Sequence, residues 1–159
     1  MIFLEGNSIK LSVLPTKEYI ELLNQNFDGS QLHRLPLLLP MDTDSKNLIL
    51  AVTINRGSEV LGRVSLENID HLNQSAEFKI FIFHKNQGSG YGFEASELII
   101  KHGFEELNLH RIYCGTLDNN IGFQKLADKI GFEKEGLRKE AVFKGGKWHD
   151  VIEYGIIRK

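Results

Sequence analysis

The chain has 159 residues, 42% of them hydrophobic and 25% charged, a composition suited to one globular domain that buries roughly 70% of the surface its unfolded form exposes. A formal charge of −2, with lysines and arginines scattered along the chain, excludes a basic field for nucleic acid or an anionic membrane. The single cysteine, Cys114, excludes an internal disulfide, and no zinc-type spacing of Cys and His is present.

The longest apolar run, residues 35–41, is broken by Pro36 and Pro40 and is far shorter than the about 20 residues a membrane helix needs. The opening residues 1–5 carry no basic region and reach Glu5 at once, unlike a signal peptide. The expectation is one domain over residues 1–159, placed in the cytoplasm, with no membrane and no nucleic-acid partner.

In chain order, residues 9–13 alternate apolar and polar and predict a strand. Pro15 stops it, and Thr16 can cap a helix over residues 17–26. Residues 26–47 hold Gly29, Pro36, Pro40, Asp42 and Asp44 and predict a loop with one short helix. Residues 48–54 and 60–66 predict strands joined by hairpin chemistry at 55–58. A polar stretch, 67–75, then turns the chain into a strand where Phe78, Ile80 and Ile82 alternate with Glu77, Lys79 and Phe81.

A polar loop rich in glycine follows, and then a helix with Tyr91, Ala95, Leu98, Ile99 and His102 at helical spacing. Residues 110–117 predict a strand, and 120–129 a helix closed by Gly131. Residues 133–143 and 148–157 pair across 144–147 as a final hairpin. The order predicts an α/β (α+β) fold with a mixed sheet.

The chemistry gathers at Gln87-Gly88-Ser89-Gly90-Tyr91-Gly92, between a strand and a helix. Glycine frees the backbone there and lets a ligand approach the main chain. The helix that follows offers unpaired N–H groups and the positive end of its dipole. Together these make an anion site, suited to a phosphate or pyrophosphate, with a bare turn as the other reading of the loop taken alone. A dinucleotide G-x-G-x-x-G pattern begun at Gly88 meets Phe93 in its last place. A P-loop fails as well, because Gly146-Lys147 is followed by Trp148.

Gln87-x-x-Gly90-x-Gly92 resembles the Q/R-x-x-G-x-G/A pyrophosphate motif of the GNAT superfamily of acyl-CoA N-acyltransferases. Further pieces are similar to its branch of ribosomal-protein alanine and spermidine acetyltransferases: Ala76-Glu77-Phe78, residues 104–112, Asn120, Lys129-Ile130-Gly131-Phe132, Glu135-Gly136 and His149-Asp150-Val151. The resemblance implies the GNAT fold, a mixed and mostly antiparallel sheet whose central strand carries a bulge and splays from its neighbour. It implies acetyl-CoA as co-substrate, no metal, and transfer of the acetyl group to a primary amine by direct attack in a ternary complex.

The same resemblance assigns roles. The main chain of Phe81, Ile82 and Phe83 lies along pantetheine, and the Ile82 amide polarises the thioester carbonyl. Gln87, Gly88, Ser89, Gly90, Tyr91 and Gly92 hold the pyrophosphate. Asn120, Phe123 and Lys125 contact the rest of the cofactor, with Asn120 also able to cap its helix. Glu77 is the expected base, its carboxyl raised by a partly apolar cleft. Asp70, His71 and His84 are fallbacks, and His110 and His149 also match family positions.

The chain departs from the pattern where relatives carry a thiolate acid, with Ala127 in place of Tyr and Phe123 in place of Ser. Tyr91, Tyr113, Cys114 or a water then inherits that work, or the thiolate leaves unassisted, or the domain binds CoA with weak turnover or none, as a sensor. The acceptor is a small-molecule or peptide amine, and a homodimer is expected by association with relatives.

Overall fold

Alternation along residues 75–82 sends Ala76 and Phe78 into the core and turns Glu77 and Lys79 to the opposite face. That strand is the fifth, in sequence, of a sheet seen in a computed structural model, which describes residues 2–13, 17, 18, 20, 21 and 44–159. Residues 17, 18, 20 and 21 are helical. The Thr16 cap and most of the loop expected over 26–47 lie outside the described residues.

Among the described residues the strands are β1 (Ile2–Glu5), β2 (Ile9–Ser12), β3 (Leu48–Ile54), β4 (Val60–Asp70), β5 (Ser75–Ile82), β6 (Arg111–Leu117), β7 (Glu133–Lys144) and β8 (Lys147–Ile157). Helix α1 (Tyr91–Glu105) joins β5 to β6, and α2 (Ile121–Ile130) joins β6 to β7. The sheet order is β1-β2-β3-β4-β5-β6-β8-β7, antiparallel except for the β5–β6 pair. This is the expected mixed, mostly antiparallel architecture. β1 was not expected; its four residues hold too short an apolar pattern to stand out.

Helix α1 packs Ala95, Ile99, Ile100 and Gly103 against the sheet. Gly103 sits so close that a Cβ would come within 2.9 Å of Leu66 Cδ1. The core joins Leu50, Leu66, Phe78, Ile99, Ile112 and Tyr154. Helix α2 ends at Gly131, whose φ of 104° and N–H bonds to the Ala127 and Asp128 carbonyls form the expected glycine cap. At the last hairpin Gly145 and Gly146 both take left-handed φ, 59° and 78°, as a two-residue turn requires.

The expected splay is present, but no bulge in the central strand produces it. β5 keeps continuous register with β4 from Glu77 to Ile82, and the shift in that pair falls between Glu67 and Asp70. The strands part on the other side of β5.

Candidate active site

β5 and β6 pair only at Ser75↔Arg111, Ala76↔Ile112 and Glu77↔Tyr113. Beyond that rung β6 runs on with β8, from Cys114↔Tyr154 to Leu117↔Val151, while β5 runs on with β4. A wedge therefore opens with Glu77 and Tyr113 at its apex.

Main-chain groups alternate sides along a strand. The Gln74 carbonyl accepts from the N–H groups of His110 and Arg111, and the Phe83 N–H donates to Leu61. Even-numbered residues of β5 thus turn their main-chain groups toward the wedge. Ile82 is among them, and so is Ile80, which the sequence reading passed over. The main chains of Phe81 and Phe83 turn to β4, and their side chains are buried edge to face, with centroids 5.5 Å apart.

At the end of β5 the chain makes a short 3₁₀ turn, His84–Asn86, and enters the glycine loop. Gly88 and Gly90 have φ of 81° and 83°, values that side chains disfavour, and nothing lies within 4 Å of where their Cβ atoms would be. Gly90 is the N-cap of α1. The first helical bond runs from the Glu94 N–H to the Gly90 carbonyl, 3.1 Å, leaving the N–H groups of Tyr91, Gly92 and Phe93 without helical partners. Gln87 has a local role as well: its Nε2 donates to the Ile82 carbonyl at 2.9 Å and staples the loop to the strand end.

A cavity of about 470 Å³ connects these parts. Of the residues expected to hold the cofactor, Phe81, Ile82, Gln87, Gly88, Gly90, Gly92, Asn120, Phe123 and Lys125 line it. Phe83, Ser89 and Tyr91 do not; Phe83 is buried, Ser89 exposed, and Tyr91 packs against the core. Asn120 caps α2, its Oδ1 accepting from the Phe123 N–H at 3.3 Å. The cavity also draws in Ile80, Phe93, Leu126 and Lys129. Helical spacing from Lys125 to Lys129, and alternation from Ile82 to Ile80, were the signals that could have found two of them. A larger cavity of about 850 Å³ lies between the β1–β2 turn, α1 and Arg158, but holds none of the expected site residues.

The opposite face of the sheet carries charge. Glu67, 8% exposed, accepts from Arg63 Nη2 at 3.0 Å, Ser65 Oγ at 2.7 Å and Lys79 Nζ at 2.8 Å. Burial pushes its carboxyl up, but hydrogen bonds from Lys79 and Ser65 and the charges of Lys79 and Arg63 outweigh that and hold it below the usual range. Burial pulls the Lys79 ammonium down, but the bond and charge of Glu67, with Glu77 behind it, outweigh that and hold it above its usual value.

The Glu77 carboxylate lies 3.4 Å from Lys79 Nζ and accepts from Asn68 Nδ2 at 2.9 Å. In place of a partly apolar cleft, then, Glu77 has a cation and an amide donor. Across the last rung, burial and the Glu77 charge hold the Tyr113 hydroxyl above its ordinary value, so it stays protonated.

The remaining candidates divide plainly. Asp70 closes the turn after β4, accepting from Leu72 N, Asn73 N and Asn73 Nδ2. His71, His84 and His110 are exposed. His149 is buried and ties the last hairpin to the start of α2, with Nδ1 3.0 Å from Asp118 Oδ1 and Nε2 3.2 Å from the Lys144 carbonyl. Cys114 is buried, and burial, helped by Glu153, Glu77 and Glu135, pushes its thiol up to about 12. Tyr154 belongs to the core, whereas Trp148 is 58% exposed and meets Phe143 edge-on near the hairpin turn. Among the described residues no group of three His, Cys, Asp or Glu is placed to hold a metal, and no helix is long and apolar enough to cross a membrane.

Comparisons with known proteins bear on this geometry. Residues 19–133 match the family model described as an acetyltransferase (GNAT) domain. The spermidine N(1)-acetyltransferase of Vibrio cholerae is 34% identical over 99 residues, covering 62% of this chain and 57% of that protein. The uncharacterized N-acetyltransferase YnaD of Bacillus subtilis is 38% identical over 80 residues, 50% of this chain and 47% of its own. This chain thus spans about half the length of the curated relatives it matches.

The crystal structure of spermidine N-acetyltransferase from Vibrio cholerae in complex with CoA and spermine superposes with a TM-score of 0.81, at 24% identity over 96% of each chain, a likeness of fold. The family match covers well over half the sequence and includes the wedge, the glycine loop and both helices beside them. The chain belongs to the GNAT acetyltransferase family.

Proposed function

We propose that this chain is an acetyl-CoA-dependent N-acetyltransferase that moves an acetyl group to a primary amine by direct attack in a ternary complex. One observation carries the reading: a single cavity joins the unpartnered amides at the start of α1 to the open edge of β5. Such a cavity fits a molecule with a diphosphate at one end and a thioester at the other. The N–H groups at the glycine loop take the diphosphate. The Ile82 amide, with Ile80 beside it on the same edge, faces the thioester carbonyl and stabilises its oxygen as charge develops there.

The acceptor nitrogen, once it has lost its proton, attacks the carbonyl carbon. The carbon–sulfur bond breaks and the thiolate takes up a proton. Glu77, at the apex of the wedge, accepts the proton from the ammonium directly or through a water. Lys79 and Asn68 fix its carboxylate there. Tyr113, protonated on the facing rung, is the side chain we assign to return a proton to sulfur. The reading extends to a small-molecule or peptide amine as acceptor, polyamines included, and to one cytoplasmic domain over residues 1–159 that pairs as a homodimer.

A second reading has its own support. Ala127 and Phe123 stand where relatives place a thiolate acid, and the Cys114 thiol is buried, so the chain would bind CoA without turnover. Release of free thiol from acetyl-CoA across a panel of amines separates the two. Turnover of any primary amine supports the enzyme, and acetyl-CoA binding with no amine turned over supports the binding module.

A further inference from the structure

Lys79 lies two positions beyond Glu77 along β5, on the same face and toward the open end of the wedge, with its side chain 42% exposed. Its Nζ donates to Glu67 Oε2 at 2.8 Å and lies 3.4 Å from Glu77 Oε2. An ammonium has three N–H groups, so one donor remains for a further acceptor. Glu67 is held from below, its other oxygen accepting from buried Arg63 and from Ser65. Lys79 is thus anchored at its inner side and presents its charge beside the base.

The carboxylates whose charges reach Tyr113 and Cys114, the β6 residues at the wedge, are Glu77, Asp70, Glu135 and Glu153. Each already has a partner. Glu135 accepts from both Nη groups of Arg111, at 2.6 and 2.5 Å, and Glu153 accepts from Arg138 Nε. Asp70 is closed on its own turn, and Glu77 has Lys79 and Asn68. None of the four is uncommitted for the second ammonium of a polycationic acceptor, whereas Lys79 has a donor to give.

We propose that the acceptor amine carries a carboxylate one or two carbons from its nitrogen, and that Lys79 is the specificity-determining residue that binds it. This rests on the acetyl-CoA reading and narrows its acceptor. The nitrogen gives a proton to Glu77 while the carboxylate meets Lys79; the two receiving atoms stand 3.4 Å apart, a span an amino acid bridges. The transfer itself is unchanged: the nitrogen–carbon bond forms, the carbon–sulfur bond breaks and the thiolate takes up a proton. A polyamine would instead bring a second ammonium against Lys79, a like-charge contact.

The test takes kcat/KM from thiol release with acetyl-CoA for glycine, β-alanine, the amide of each, a peptide amide beginning with Asp, and spermidine. Wild type, Lys79→Gln and Lys79→Arg are compared, with melting temperatures and CoA affinity by calorimetry to show that each folds and holds the donor. Loss of one partly exposed charge-assisted contact should lower kcat/KM for the favoured amino acid about tenfold in Lys79→Gln, chiefly through KM. The matching amide should stay within about twofold, and spermidine should be used about threefold better once the like charge is gone. Comparing variants on one substrate cancels differences in amine basicity. Lys79→Arg should keep the wild-type preference. Should Lys79→Gln not fold, the wild type decides alone: its rate with the amino acid relative to the amide should fall as salt rises.

A wild type faster with spermidine than with every carboxylate-bearing amine overturns the proposal. So does an equal loss for acid and amide in Lys79→Gln, which would make Lys79 only a support for Glu77, and so does an acid-to-amide ratio that salt leaves unchanged. Preferred turnover of the free amino acids, or of the Asp peptide, supports it and tells a small molecule from an acidic peptide end. CoA binding with no amine turned over is a separate failure, that of the transferase reading, and the proposal falls with it.

Discussion

Replacing Gly90 with alanine separates backbone strain from loss of a binding surface. The residue has φ of 83°, and a Cβ there would meet nothing within 4 Å, so Gly90→Ala introduces no clash in the free protein. Its stability cost is that of an L-residue held in the left-handed region, about 1–2 kcal/mol. For a chain of 159 residues that lowers Tm by about 2–8 °C. The effect on CoA should be much larger. The open space at Gly90 is the cavity where the diphosphate would rest, and a methyl group there keeps phosphate oxygens away from the amides of Tyr91 and Gly92.

Losing two charge-assisted hydrogen bonds at about 1.5–3 kcal/mol each weakens binding by about two orders of magnitude or more. Gly146→Ala is the matched control. Its φ is 78°, its Cβ would also meet nothing within 4 Å, and it sits at the turn of the last hairpin, away from the cavity. Calorimetry with CoA and a thermal melt on both variants give the answer. Similar Tm losses, with CoA binding weakened about a hundredfold or more only in Gly90→Ala, are expected. Normal CoA affinity in Gly90→Ala, or an equal affinity loss in Gly146→Ala, refutes the reasoning.

Three other outcomes follow from the opposite face and the core. Glu77→Gln should lower kcat about 10²-fold or more and change its pH profile while CoA affinity stays near wild type; wild-type rates across pH remove Glu77 as the base. Glu67→Gln leaves the buried Arg63 guanidinium short of its carboxylate and should cost about 3 kcal/mol in urea unfolding, with a loss under about 0.5 kcal/mol refuting the network. Because the folded Glu67 carboxyl lies below its ordinary 4.5, its stabilisation is in place above that value and fades as pH falls through the lower, folded one; the variant should show a shallower loss of stability in that acid range. Cys114→Ala should keep turnover, and the native thiol should resist alkylation at pH 8 until denaturant is added, whereas fast labelling of the folded protein would contradict its burial.

The elements that could be read from sequence were those whose signal is local. The alternation around Phe78, Ile80 and Ile82 gave β5, the helical spacing of Ala95 and Ile99 gave α1, and Gly131 marked the end of α2. The glycine loop was legible because the absence of side chains at Gly88 and Gly90 is itself a backbone instruction. What could not be read depends on pairing between distant segments. Nothing in the local pattern says that β5 and β6 part after Glu77↔Tyr113. Arg63 looks like a solvent-facing break in a strand and Glu67 like the start of a polar turn, yet β4 runs on to Asp70 and both are buried, with Lys79 and Ser65 completing the network. The same holds for Glu77, whose surroundings include Lys79, two positions on along β5, and Asn68 on the neighbouring strand. Gln87 fits a motif, but its bond to Ile82 is a fact of three-dimensional geometry.

Main-chain N–H groups where β5 gives way to α1 are proposed to clasp the diphosphate of coenzyme A. A crystal structure of the protein grown with CoA measures this most directly. Phosphate oxygens are expected at hydrogen-bonding distance from N–H groups between Gly88 and Phe93, with the pantetheine arm running into the wedge past Ile82. CoA bound in the larger cavity beside Arg158, or with its diphosphate turned away from the glycine loop, would contradict it.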